Sequence, residues 1–159
     1  MLNEDYSDML RALCDEKAEF LLVGAYAMAT HGYPRATMDM DIWVRPSLEN
    51  ARAVMRALKR FGAPLHSLTE EDLQKSDTIF QIGVAPRRID ILTGVTGMRF
   101  EETYSRSMTV NVEEIQVRVP SLQDLIRNKR ATARPKDLAD AETLESLKES
   151  PPPNAPDTR

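Results

Sequence analysis

Apolar residues recur with helical spacing in the first part of the chain. Between residues 3 and 17 they fall at i, i+3, i+4, i+7 and i+8, which predicts an amphipathic helix with Cys14 on its buried face. A second helix is predicted to begin after Ser47, a candidate N-cap, and to end at Gly62. The spacing of its apolar residues places Leu48 on the inward face.

Helical spacing returns near the end of the chain. A helix is predicted to begin after Ser121, with Asp124 in its first turn. Pro135 interrupts the helical pattern, and a final helix follows with Leu138 on its inward face. Together the two helices make a predicted C-terminal helical block at about 121–148.

Shorter segments between these helices have the pattern of β-strands. The strands are predicted at "EFLLV", at "MDMDIWV", and in two hairpins, "TIFQIGVA" with "RRIDILT" and "MTVNV" with "IQVRV". Two short helices are predicted at "AYAMATHGY" and "FEETYSRS". The predicted fold class is therefore α/β (or α+β), with a mixed, twisted β-sheet flanked by helices.

The composition of the chain argues against several classes of protein. The chain has 159 residues and a net charge of −4, which argues against a broad surface for duplex nucleic acid. One cysteine excludes an internal disulfide, and with two histidines it makes a zinc cluster improbable. No apolar stretch is long enough for a membrane, and the acidic N-terminus is unlike a signal peptide, so a cytoplasmic protein is expected. Residues 1–148 are predicted to form one domain, and the Pro-rich segment 149–159 a disordered tail.

Two acids interrupt the most regular strand. Asp39 and Asp41 alternate with apolar residues, so both side chains point to the same face. Like charges so close repel each other unless a cation or a proton neutralises them. Asp90 repeats the pattern in "RRIDILT", and all three acids meet if the two strands are neighbours. Carboxylate oxygens are ligands for Mg²⁺, and a carboxylate pair can bridge two ions. The alternative is a solvated sheet face with no function.

Gly24 stands where a predicted strand ends and a short helix begins. A residue without a side chain lets a phosphate approach the backbone N–H groups and the helix N-terminus. The alternative is that Gly24 only permits a tight turn. Thirteen residues, 26 to 38, separate Ala25 from Asp39.

Three separated blocks of this chain resemble the nucleotidyltransferases of the DNA polymerase beta superfamily. They are "VGAYAMATHGYPRATMDMDIWV", "RRIDILT" and "SLQDLIRNKRATARPKDLAD". The shared pattern is a glycine and a small residue, then Asp-hydrophobic-Asp, then a strand Asp. From about Phe20 to Leu144, the chain looks most like small bacterial members related to abortive-infection (AbiEii-type) toxins. The resemblance implies a polymerase beta-like fold with C-terminal helices.

The resemblance also implies roles for individual residues. Asp39, Asp41 and Asp90 are the implied catalytic residues and ligands of two Mg²⁺ ions, and Asp90 is implied to help activate the acceptor hydroxyl. Gly24 is implied to lie against the triphosphate of an NTP. Ala25 departs from the family, where glycine or serine is usual, and only its backbone N–H is available to a phosphate.

Basic residues supply candidate phosphate contacts. Lys129 is the first choice and Arg134 the second, and Asp137 is predicted to orient one of them through a salt bridge. Arg35 precedes the acidic strand and is a third candidate for the phosphates, or else only offsets the charge of the acidic cluster; Arg87 and Arg88, in the predicted hairpin turn, have the same two interpretations. The alternative for the C-terminal run is a solvated helix face.

The sequence therefore predicts a Mg²⁺-dependent nucleotidyltransferase that moves NMP from an NTP to an acceptor. By resemblance, the acceptor is an RNA (a tRNA 3′ end) or a protein hydroxyl, and the chain is the toxin of a toxin–antitoxin pair. One alternative is a catalytically weak or inactive nucleotide-binding module. Another is one subunit of a two-chain nucleotidyltransferase that needs a helical partner.

Overall fold

Alternating aliphatic residues form the strands that carry the acids. The computed structural model describes residues 2–33, 39–85 and 87–148. In chain order its elements are α1 (Glu4–Asp15), β1 (Phe20–Val23), α2 (Gly24–Thr30), β2 (Met40–Val44), α3 (Leu48–Phe61), a 3₁₀ turn (Asp72–Gln74), β3 (Ile79–Ile82), β4 (Ile89–Leu92), α4 (Phe100–Ser105), β5 (Met108–Val112), β6 (Ile115–Val119), α5 (Leu122–Thr132) and α6 (Pro135–Lys148). The predicted tail at 149–159 lies outside the described residues.

The main sheet has four strands in the order β1-β2-β4-β3. β1 pairs antiparallel with β2, β2 pairs parallel with β4, and β4 pairs antiparallel with β3. β5 and β6 form a separate antiparallel hairpin. The mixed sheet flanked by helices confirms the predicted fold class.

The two faces of β2 enter different apolar clusters. Met40, Ile42 and Val44 are fully buried on one face, in the main core with residues of α1 and α3. Trp43 lies on the other face, packed edge-on against Phe100 of α4 with ring centroids 5.2 Å apart. Both faces of β2 are therefore covered, and the end of β2 that carries the acids opens to a cleft.

Local signals in the sequence fix the ends of α3 and α5. The Ser47 side chain accepts the Asn50 N–H at 3.2 Å, and the Ser121 side chain accepts the Asp124 N–H at 3.1 Å. Gly62 ends α3 with a φ of 94°, in the left-handed region that glycine adopts without strain. These caps confirm the predicted starts and the predicted stop.

Three residues predicted to face inward do not. Leu48 and Leu138 are 47% and 46% exposed, and Cys14 is exposed as well. All three lie in the first or last turn of their helices, and in α1 and α6 the adjacent residues Leu13 and Asp137 are fully buried. Helical spacing alone does not fix which residues of a terminal turn the neighbouring elements cover.

None of the helices in the described part of the chain is both long and apolar enough to span a bilayer.

We expect Ile42→Ala to lower the free energy of unfolding by about 2–5 kcal/mol, because it leaves a cavity at a fully buried position. Ile79→Ala makes the same chemical change on the edge strand, where the side chain is 64% exposed, and should cost less than about 0.5 kcal/mol. Urea denaturation of both variants measures the difference. Equal losses would contradict the assigned faces of the sheet.

Candidate functional site

The parallel pairing of β2 and β4 brings the three acids together. Asp41 and Asp90 are direct partners in the register of the two strands, and Asp39 comes just before β2 begins. Their side chains line one cleft of about 470 Å³. The structure thus places the acids as the strand pattern predicts. Their role as metal ligands stays a prediction.

Asp41 has the most perturbed environment of the three. Burial raises the pKa of its carboxyl to about 7, and the charge of Asp90, a hydrogen bond between the two carboxyls and the charge of Asp39 add to the rise. Arg88 opposes the rise only in part. The cluster therefore holds more negative charge than its surroundings neutralise.

Gly24 makes room for Asp41. Gly24 has a φ of 66°, and a Cβ built on it would lie 2.4 Å from Oδ2 of Asp41. Any larger residue would be strained in its backbone and would displace the carboxylate. Ala25 follows at the start of α2 and also lines the cleft. The close contact with Asp41 requires glycine at position 24, and the sequence alone does not show this requirement.

Arg88 lies among the acids. Its Nε and Nη2 donate to the two oxygens of Asp90 at 2.8 and 3.2 Å, and Nη2 is 3.5 Å from Oδ2 of Asp39. Its backbone N–H donates to Oδ1 of Asp39 at 3.0 Å. The sequence offers two interpretations of Arg88, a phosphate contact or a residue that offsets the acidic cluster, and its contacts here are with the carboxylates.

Cations of the C-terminal helices form the opposite side of the cleft. Lys129 on α5 is 15% exposed, and its Nζ lies 3.2 Å from Asp140 and 3.7 Å from Asp137. Arg134 donates from Nε to Asp137 at 2.7 Å, and this hydrogen bond is the main reason that the pKa of the Asp137 carboxyl falls to about 2. Asp137 therefore orients Arg134, as predicted, and helps to hold Lys129.

The cleft is lined by most of the predicted site residues: Gly24, Ala25, Asp39, Asp41, Arg88, Asp90, Lys129 and Arg134. Arg87, also predicted as a candidate phosphate contact, is exposed and does not line the cleft. Arg35, the remaining phosphate candidate, lies outside the described residues. Sequence reasoning missed Met28 and did not single out Lys136, which both line the cleft. Lys136 follows Pro135, the first residue of α6, so its position in the basic run at the start of a helix was the signal that could have identified it.

The donor chemistry of the cluster fits a hard divalent cation. Three carboxylates converge on the cleft, and carboxylate oxygens are the ligands that such a cation prefers. Their present arrangement is not a ready-made metal site. Among residues 2–33, 39–85 and 87–148, no three His, Cys, Asp or Glu side chains are grouped to hold a metal ion. Both oxygens of Asp90 accept hydrogen bonds from Arg88 instead.

The fold is similar to that of a crystal structure described as "a putative nucleotidyltransferase (TM1012) from Thermotoga maritima". The two chains are 16% identical, with a TM-score of 0.54, and the match covers 95% of this chain and 97% of that chain. At this identity the likeness shows the fold alone, and the fold is that of a nucleotidyltransferase-like neighbour. The predicted relation to abortive-infection toxins stays a prediction. No protein-family model matches the sequence, and no curated protein matches it.

The raised pKa of Asp41 predicts how the Asp41→Asn variant responds to pH. An acid whose pKa is higher in the folded than in the unfolded chain costs stability as pH rises from about 4 to about 7, and the full cost remains above pH 7. In EDTA, Asp41→Asn should therefore stabilise the protein more at pH 8 than at pH 5, by about 2–3 kcal/mol, since each pKa unit between pH 5 and the folded pKa contributes about 1.4 kcal/mol. Chemical denaturation at the two pH values measures it. A benefit that is equal at both values would contradict the assigned environment.

Proposed function

We propose that this protein is a Mg²⁺-dependent nucleotidyltransferase that transfers NMP from an NTP to a hydroxyl group of an acceptor. The observation that carries the proposal is the register of β2 and β4, which sets Asp41 beside Asp90 and next to Asp39. These acids face a cleft, and Lys129 lies on the other side of it. Two acids of α6, Asp137 and Asp140, pair with the Lys129 ammonium group. The similarity in fold to TM1012 supports the same class.

Two sides of opposite charge suit this reaction. Asp39, Asp41 and Asp90 would hold the two Mg²⁺ ions, which when bound supply charge stabilisation for the attacking and leaving oxygens of an in-line displacement. Lys129, Arg134 and Lys136 offer donors to the triphosphate from the opposite side. Transfer between phosphate and hydroxyl needs positioning and electrostatics more than a protein nucleophile, so the absence of a cysteine among the described residues of the cleft is no obstacle.

The acceptor and the biological role rest on the sequence resemblance. We propose an RNA acceptor, such as a tRNA 3′ end, or a protein hydroxyl, and a toxin acting with an antitoxin or a helical partner subunit. A cytoplasmic setting fits these substrates.

Ala25 supports a second candidate function, a nucleotide-binding module with weak or no catalysis. Ala25 lines the cleft beside Gly24, and it presents a methyl group where a serine hydroxyl would donate to phosphate. The loss of one hydrogen bond weakens nucleotide binding without removing the acids.

The proposed activity is tested with each of four labelled NTPs, Mg²⁺, and either total RNA or a protein extract. We expect label transfer by the wild-type protein and a loss of at least about 100-fold in Asp41→Asn, because the carboxylate charge is required. Since Asp41→Asn should also be the more stable protein, unfolding does not explain the loss. Asp8→Asn removes an exposed acid of α1 outside the cleft and is the matched control.

Two outcomes would contradict the proposed activity. Transfer that survives Asp41→Asn would place the reaction elsewhere. Binding of NTP with no transfer to any acceptor in either extract would favour the nucleotide-binding module.

Two glycines with positive φ provide a test of the Gly24 contact. A Cβ at Gly24 meets Asp41, whereas a Cβ at Gly62 has no atom within 4 Å. Both alanine variants pay a backbone cost of about 1–2 kcal/mol, but only Gly24→Ala should also lose NTP transfer, by about 10-fold or more. Denaturation and transfer assays on the pair separate the two effects. Equal transfer by both variants would show that Asp41 tolerates the added methyl group.

A further inference from the structure

The Arg88 guanidinium occupies the carboxylate oxygens on which the proposed metal site depends. It makes a two-point contact with Asp90, at 2.8 and 3.2 Å, and approaches Asp39 at 3.5 Å. The Asp90 side chain is only 10% exposed, so few water molecules can replace Arg88 as its hydrogen-bond partner. A fork-to-fork contact of this kind satisfies both oxygens of the carboxylate at once.

The backbone of Arg88 is fixed from three directions. Its carbonyl accepts the Met40 N–H at 2.9 Å and the hydroxyl of Tyr6, which is buried on α1, at 3.2 Å. Its own N–H donates to Asp39 at 3.0 Å. Because the backbone is anchored, the guanidinium reaches the acids in a fixed geometry. Its side chain is still 32% exposed, so it has room to turn into the cleft.

A divalent cation and this guanidinium need the same oxygens. A divalent cation held by Asp39 and Asp90 would need lone pairs that now accept hydrogen bonds from Arg88, and its charge would repel the guanidinium beside it. In the described part of the chain the three converging carboxylates are not grouped as a metal site.

We propose that Arg88 is an internal competitor of the metal, so that a divalent cation binds Asp39 and Asp90 only when the Arg88 ion pair opens. The inference rests on the proposed function, because it concerns the same carboxylates. A triphosphate offers the released guanidinium a second partner of matching geometry, since arginine binds phosphate and carboxylate with the same fork. Nucleotide and metal then enter together more readily than the metal alone.

The test measures Mn²⁺ binding to the full chain without nucleotide, from the electron paramagnetic resonance signal of free Mn²⁺. We expect Arg88→Met to bind Mn²⁺ about 10-fold more tightly than the wild type, a change equivalent to about 1.4 kcal/mol. Arg87→Met is the matched control, because it removes the same charge from an exposed neighbour outside the cleft. Its affinity should stay within about 2-fold of the wild type, since solvent screens that charge.

Arg88→Lys provides a second variant should Arg88→Met fail to fold without metal. Lysine keeps the charge but lacks the fork, so Mn²⁺ should bind more tightly than to the wild type by a smaller factor than in Arg88→Met. Equal or weaker Mn²⁺ binding by the folded Arg88 variants would overturn the competition and leave the proposed function standing. If neither the wild type nor the variants bind Mn²⁺ at millimolar concentration, the metal site and the proposed function fail together.

Discussion

The crowding of negative charge at one end of β2 and β4 is the constraint on which the site depends. Parallel pairing in this register places Asp41 directly beside Asp90, and the covered sheet faces leave them little water. A fold accepts such a cost only where other groups offset it. Here Arg88 offsets part of it, and the bare backbone of Gly24 leaves the Asp41 carboxylate the space it needs.

The two sides of the cleft hold their charges in different ways. Lys129 and Arg134 are paired with acids of their own helical block, Lys129 with Asp140 and Asp137 and Arg134 with Asp137. The counter-ion of the acidic side is Arg88, which directly precedes the strand that carries Asp90. A ligand that enters the cleft therefore meets prearranged donors on one side and a replaceable ion pair on the other.

Much of this arrangement follows from local rules. The period of two along a strand places Asp39 and Asp41 on one face whatever the rest of the chain does, and the caps at Ser47 and Ser121 need only neighbouring backbone N–H groups. The pairing of β2 with β4 joins segments far apart in the sequence, so its register could only be assumed. The exposure of Leu48 could not be predicted either, because it depends on which residues of the first turn of α3 the rest of the fold covers.

The contacts of Arg88 with the carboxylates show a further limit on what can be predicted from the sequence. Arg88 and Asp90 are two residues apart, so their contact is local, whereas the contacts of Arg88 with Asp39 depend on the pairing of β2 with β4, which the sequence does not fix. Three carboxylates also repel a triphosphate, whose charges have the same sign. A pocket that bound only the free nucleotide would bind it more tightly without these carboxylates. Their convergence is therefore unfavourable for a free triphosphate and favourable where divalent cations accompany the phosphate, which is the situation that the proposed transfer requires.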